Sequence, residues 1–165
     1  MKNMLLIALA LMMLTPIRAQ KGRENDPSRN KIPFTGTYLA TQPDAAHILQ
    51  LSADGNMTFI MSWQFDNEGV VDESYSNTKG NWKVSGPMAV TASAADIAFK
   101  NGAFIGVAHA RYQIQFEKGY RTASLTCSGA LYPPGVSPLD KNAAPVAGST
   151  FTCGALIRLE RLPTE

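Results

Sequence analysis

Histidine and cysteine are scarce in this chain, with two of each among 165 residues, and no window sustains the apolar recurrence at three and four residues that an amphipathic helix requires. Any metal site or catalytic triad must therefore draw on His47 or His109. G-x-S-x-G, H-E-x-x-H, the phosphate-binding loop and the dinucleotide fingerprint are all missing, so no cofactor is implied. Charge of one sign is lacking too: 15 Lys and Arg stand against 13 Asp and Glu. Setting aside Lys2 and Arg18, which belong to an apparent leader, the two signs balance. That excludes the basic footprint of a nucleic-acid binder and any long-range electrostatic steering.

The leader is the first feature present. Lys2 supplies a positive start, Met4 to Leu14 are unbroken apolar residues, and Ala19 offers a small residue for cleavage. Crossing a bilayer takes about 20 apolar residues, so 1–19 reads as a signal peptide and not an anchor. No cysteine precedes Cys127, which argues against a lipid anchor. The expected product is secreted or periplasmic, with no membrane span once the signal is removed. Gln20 to Lys31 holds no aromatic or large apolar side chain and cannot offset its own ordering entropy, so 20–31 is expected to be a flexible tail.

From Ile32 the text becomes short runs of Thr, Val, Ile, Phe and Tyr broken by Gly, Asn, Asp and Pro, and 32–165 is expected to form one all-β domain. Asn101-Gly102 suits a type I′ hairpin. Closing there sets Lys100 opposite Ala103, Phe99 opposite Phe104, Ala95 opposite Ala108 and Thr91 opposite Tyr112. Phe99, Phe104, Ala108, Ala110, Tyr112, Ile114 and Phe116 then share one face, with Asp96, His109, Arg111, Gln113, Gln115 and Glu117 on the other. Around Asp54-Gly55-Asn56, Leu49 and Leu51 share a side with Met57, Phe59, Met61, Trp63 and Phe65 only if paired numbers sum to an even value. A three-residue turn with Ala53 opposite Met57 meets that condition and puts His47 opposite Trp63. Further strands are expected over Val70 to Asn77, Asn81 to Ser85 after an interruption at Gly80, Tyr120 to Tyr132, and Ser149 to Leu162. Eight or nine strands in meander order suit an up-and-down antiparallel barrel, closed so that no edge is left unpaired. A β-sandwich is the alternative.

Cys127 and Cys153 are an even number in an exported chain, which predicts a disulfide. Their numbers average to the middle of the loop Tyr132 to Ser149, so a symmetric hairpin sets them face to face. That loop carries four prolines and is placed at one mouth of the barrel.

Two groups of side chains are candidates for function. His47, Leu49, Met57, Phe59, Met61, Trp63 and Phe65 form a soft, largely aromatic row suited to lining a pocket for a small apolar ligand, or equally to plain core packing. His109, Asp96 and Arg111 lie together on the polar hairpin face and are the candidate catalytic trio, against the simpler reading of a solvated surface. No metal is expected. Met57 and Met61 are about 13 Å apart along a strand, too far to share copper. Asp66, Glu68, Asp72 and Glu73 lack the ligand spacing of a calcium loop.

Gly36-Thr37-Tyr38, opening the first strand, resembles the G-x-W that begins a calycin barrel, the group of lipocalins and avidins, with tyrosine in place of tryptophan. The literal G-x-W is at Gly80 to Trp82. The resemblance implies a small-molecule carrier and a late basic residue packed on the aromatic, for which Arg158 and Arg161 are the candidates. No helix is expected after the last strand, unlike lipocalins. Allene oxide cyclase barrels are similar in outline and would imply an enzyme. The expected function is thus an exported, non-catalytic, lipocalin-like barrel for a small apolar molecule. Alternatives are an inhibitor or protein-binding barrel that probes its partner with the tail, and a barrel enzyme.

Overall fold

A computed structural model describes residues 32–42, 45–64, 73–153 and 156–163. The leader, the tail, Phe65, Asp66, Glu68 and Asp72 lie outside the described residues. After a short 3-10 turn η1 (Ile32–Phe34) come β1 (Gly36–Thr41), β2 (Ala46–Leu51), β3 (Asn56–Met61), a second 3-10 turn η2 (Ser62–Gln64), β4 (Glu73–Tyr75), β5 (Thr78–Gly86), β6 (Ala89–Lys100), β7 (Ala103–Phe116), β8 (Thr122–Tyr132), β9 (Phe151–Thr152) and β10 (Ile157–Arg161). Each strand is antiparallel to its neighbours. The order β10-β1-β2-β3-β5-β6-β7-β8 closes because β10 pairs with β8 as well as β1. The protein is therefore a closed eight-stranded antiparallel barrel with two further short strands, β4 on β6 and β9 on β8.

Both extra strands are halves of interrupted wall strands. Between β4 and β5 the chain breaks at Ser76 and Asn77, where the Ser76 amide donates to the Ile97 carbonyl at 2.9 Å and its hydroxyl oxygen accepts from the Ile97 amide at 2.9 Å. The interruption expected at Gly80 is not there. Gly80 lies inside β5, where a Cβ would collide with the Ser93 carbonyl and the Ala94 Cα, so the glycine permits close strand approach. The single last strand expected over Ser149 to Leu162 is likewise two, β9 and β10.

Two registers differ from the sequence expectation, each for a local reason. At Asn101-Gly102 the turn forms as expected, with Lys100 opposite Ala103 and Phe99 opposite Phe104. Next to it a bulge inserts one residue, Ile105, so that Ala98 pairs with Gly106, Ala95 with His109 and Thr91 with Gln113. Gly106 has φ +149° and sits where a Cβ would run into the Tyr132 carbonyl oxygen. A one-residue slip exchanges the faces of a strand, so beyond the bulge the even-numbered residues of β6 point inward, with Ala92, Ala94 and Ala98 buried. On β7 Ala108, Ala110, Tyr112, Ile114 and Phe116 are buried as expected, whereas Phe104, expected on the same face, is exposed because the bulge at Ile105 separates it from their alternation. At the other hairpin the even sum holds, but Leu51 pairs with Met57 and His47 with Met61, two residues tighter than Ala53 opposite Met57. Ser52 and Asn56 close the turn with a hydrogen bond of 2.9 Å, and Trp82 Nε1 donates to the Ser52 carbonyl at 3.0 Å.

The two ends of the barrel are built differently. At one, η1 carries Phe34 into the barrel, 5.1 Å between ring centroids from both Phe116 and Tyr120 and 6.3 Å from Trp82. The Tyr38 hydroxyl donates to the Phe34 carbonyl at 2.8 Å. Arg161, paired with Tyr38 across β1 and β10, donates to the carbonyls of Pro33 and Thr35. Its guanidinium lies over Gly36, where a Cβ would be 2.8 Å from Nε. These contacts plug that end, and the main core of Tyr38, Leu49, Leu51, Met57, Phe59, Ile114, Leu125 and Leu159 sits directly above it.

Candidate functional site

The end opposite the plug holds a cavity of about 590 Å³, within the ordinary range for small-molecule sites of roughly 300–1,000 Å³. It is lined by the last residues of β3 and η2 (Met61, Gln64), by β4 (Glu73, Tyr75), by Asp96 of β6 and by Ile105, Ala108 and Tyr112 of β7. Cys127 and Leu131 of β8 and the run 148–153 complete it. The wall is mainly apolar, and the meander explains why: strands running to this end contribute their inward residues to one mouth.

Cys127 and Cys153 are bridged, with Cα atoms 5.1 Å apart, and the bridge lines the cavity. The register is the one that symmetry about the loop demanded, with Ser128 opposite Thr152 and Gly129 opposite Phe151. The proline-rich loop does lie at this mouth. It is held to β8 by Val146 N–H donating to the Leu131 carbonyl at 2.8 Å, and by the Ser149 hydroxyl, which accepts from the Leu131 amide at 3.2 Å.

The carboxylates of the lining, Glu73 and Asp96, come from β4 and β6, while Ser149, Thr150 and Thr152 bring hydroxyls from the β9 side. Asp96 faces inward beside Ala108, and its Oδ2 accepts from the hydroxyl of Thr78, a fully buried residue, at 2.9 Å. Asp96 Oδ1 is buried without a hydrogen-bond partner among the described residues. Burial pushes the carboxyl up to about 6, the Thr78 hydrogen bond opposing. Tyr112 is pushed up to about 12 by burial and by the Asp96 charge. Tyr75 also rises to about 12, through burial and through its hydrogen bond to Glu73 Oε2 at 3.0 Å. Glu73 Oε1 meets Lys100 Nζ at 3.1 Å. Gln64 is buried, its amide Nε2 donating to Asn77 Oδ1 at 2.9 Å while Oε1 has no partner among the described residues.

The candidate residues distribute unevenly around this site. Met61 lines the cavity; Leu49, Met57 and Phe59 are fully buried in the core beneath it. His47 is fully buried, its ring 5.7 Å from that of Phe59, and burial lowers its pKa. Trp63 belongs to η2, so the strand does not continue through it to Phe65. The trio His109, Asp96 and Arg111 is split by the Ile105 bulge: Asp96 points into the barrel, whereas His109 and Arg111 lie on its outer face. There His109 Nε2 and Ser93 Oγ are 2.7 Å apart, and among the described residues no carboxylate is bonded to the other ring nitrogen. Burial and the Arg111 charge lower the His109 pKa.

Sequence reasoning missed Gln64, Tyr75, Ile105, Ala108, Leu131 and Phe151. The inward alternation of β8 marked Leu131, but nothing local marks Ile105 as a bulge or Gln64 as the end of a wall. The described residues include no group of three or more His, Cys, Asp or Glu that could hold a metal, and no helix long and apolar enough to cross a membrane. No protein-family model, curated protein or solved structure matches this chain.

Proposed function

We propose that the protein is an exported, lipocalin-like barrel that binds a small, largely apolar molecule without transforming it. The observation that carries this is the cavity of about 590 Å³ at the unplugged end, walled by Met61, Ile105, Ala108, Leu131, Phe151 and the disulfide. A well-formed apolar pocket with a few convergent polar groups is the form small-molecule sites take. Two features support the calycin-like reading: a meander barrel closed by its last strand on its first, and Arg161 packed over Gly36 beside Tyr38. The disulfide and the leader at 1–19 support export.

The test is titration with a neutral solvatochromic dye. Saturable binding is expected, with loss in Ala108→Trp, whose indole occupies the cavity, while the urea midpoint confirms folding. Leu131→Trp serves the same purpose should the first variant unfold. A folded wild-type protein that binds neither such dyes nor fatty alcohols overturns the proposal.

A further inference from the structure

We propose that the ligand is an apolar amine, held by its protonated nitrogen at Asp96 with its hydrocarbon body along Met61, Ile105 and Leu131. This rests on the cavity being a binding site and names the chemistry it selects. Two residues of the cavity lining each carry a buried acceptor atom that has no hydrogen-bond partner among the described residues. Thr78 has one hydroxyl proton, given to Asp96 Oδ2, and Oδ1 remains buried and unpartnered; Gln64 Oε1 is buried in the same condition. Their other polar atoms are held by the chain, Asp96 Oδ2 by Thr78 and Gln64 Nε2 by Asn77, and both residues line the cavity. An unsatisfied buried acceptor costs free energy, and a carboxylate oxygen costs more than a neutral one, so the arrangement favours a donor from outside the chain.

The charges on the surrounding elements decide which donor. Among the described residues, no Lys, Arg or His lines the cavity. Glu73, the other carboxylate there, is already balanced by Lys100 and by the Tyr75 hydroxyl. Ser149 can spend its proton on the Val146 carbonyl at 2.7 Å. His109 and Arg111 are on the outer face. The uncompensated charge facing the cavity is therefore the negative one of Asp96, ionised above about pH 6. A fatty carboxylate would meet like charge; an alcohol would supply one neutral hydrogen bond. An alkylammonium supplies several donors and the missing positive charge, and charge-assisted hydrogen bonds are about twice as strong as neutral ones.

Calorimetric titration of the full chain with n-octylamine, 1-octanol and octanoate at neutral pH distinguishes these. Octylamine should bind about tenfold or more tightly than octanol, given what a hydrogen bond to a charged group contributes, and octanoate should be weakest. Asp96→Asn should bring octylamine to the level of octanol measured on the same variant. Octanol binding as tightly as octylamine to the wild type overturns the amine assignment while sparing the binding reading, and needs no variant. A preference for octylamine that survives in Asp96→Asn also overturns it. If none of the three binds, the amine assignment falls, and if the solvatochromic dyes fail as well, the binding reading falls with it.

Discussion

Asp96 shows how one side chain's setting is decided away from its own sequence. Flanked by Ala95 and Ile97 on a strand, it reads locally as solvent-facing, and a bulge nine residues later turns it into the barrel. Burial raises its pKa from 3.8 to about 6. A carboxyl whose folded pKa is raised binds its proton more tightly in the native state, so the stability it contributes is full below 3.8 and is lost as pH rises through about 6. Asp96→Asn is accordingly expected to raise stability above pH 6 by about 3 kcal/mol and to change little below about pH 4, as read by urea unfolding across that range. An equal effect at both ends would show that the carboxyl is not buried as a charge. The contrast with His109 is instructive: its strand face was legible, because β7 alternates cleanly through to Phe116.

At the scale of elements, the strand faces and their meander order were legible, whereas the registers of two hairpins were not. Alternation marked Leu49, Leu51, Met57 and Phe59 as one face, and all four are buried in the core. The turn that joins them was read two residues too long, because side-chain parity is satisfied equally by sums differing by two. η1 was not foreseen as a helix turn, although Ile32-Pro33-Phe34 marks the first apolar anchor. Its energetics rest on Phe34, whose ring is packed edge-on against Trp82, Phe116 and Tyr120. Phe34→Ala is expected to cost about 3–5 kcal/mol, measured as a lower denaturant midpoint. A loss below about 1 kcal/mol, the level of an ordinary surface change, would mean that the plug does not hold the end of the barrel closed.

For the whole molecule, the disulfide and the barrel closure act together. Cys127 and Cys153 are 26 residues apart, which places the loop-closure contribution near 3.5 kcal/mol by the chain-entropy relation. Replacing both by serine should lower stability by about that amount, and because the bridge is part of the cavity wall it should also weaken dye binding in protein that remains folded. Unchanged affinity in that variant would place the bound molecule away from the β8–β9 side. The sequence by itself determined what short-range rules determine: all-β character from period-two patterning and turn residues, a single meander from short connections, and the cysteine pair from its symmetry about the loop. Only the tertiary structure decided which end of the barrel is plugged and which is hollow, and that Asp96, Gln64, Ile105 and Leu131 meet at the hollow end. Those facts depend on registers set by a bulge and a tightened turn. Such one- and two-residue shifts leave the local pattern almost unchanged, yet they alter what each strand brings to the interior.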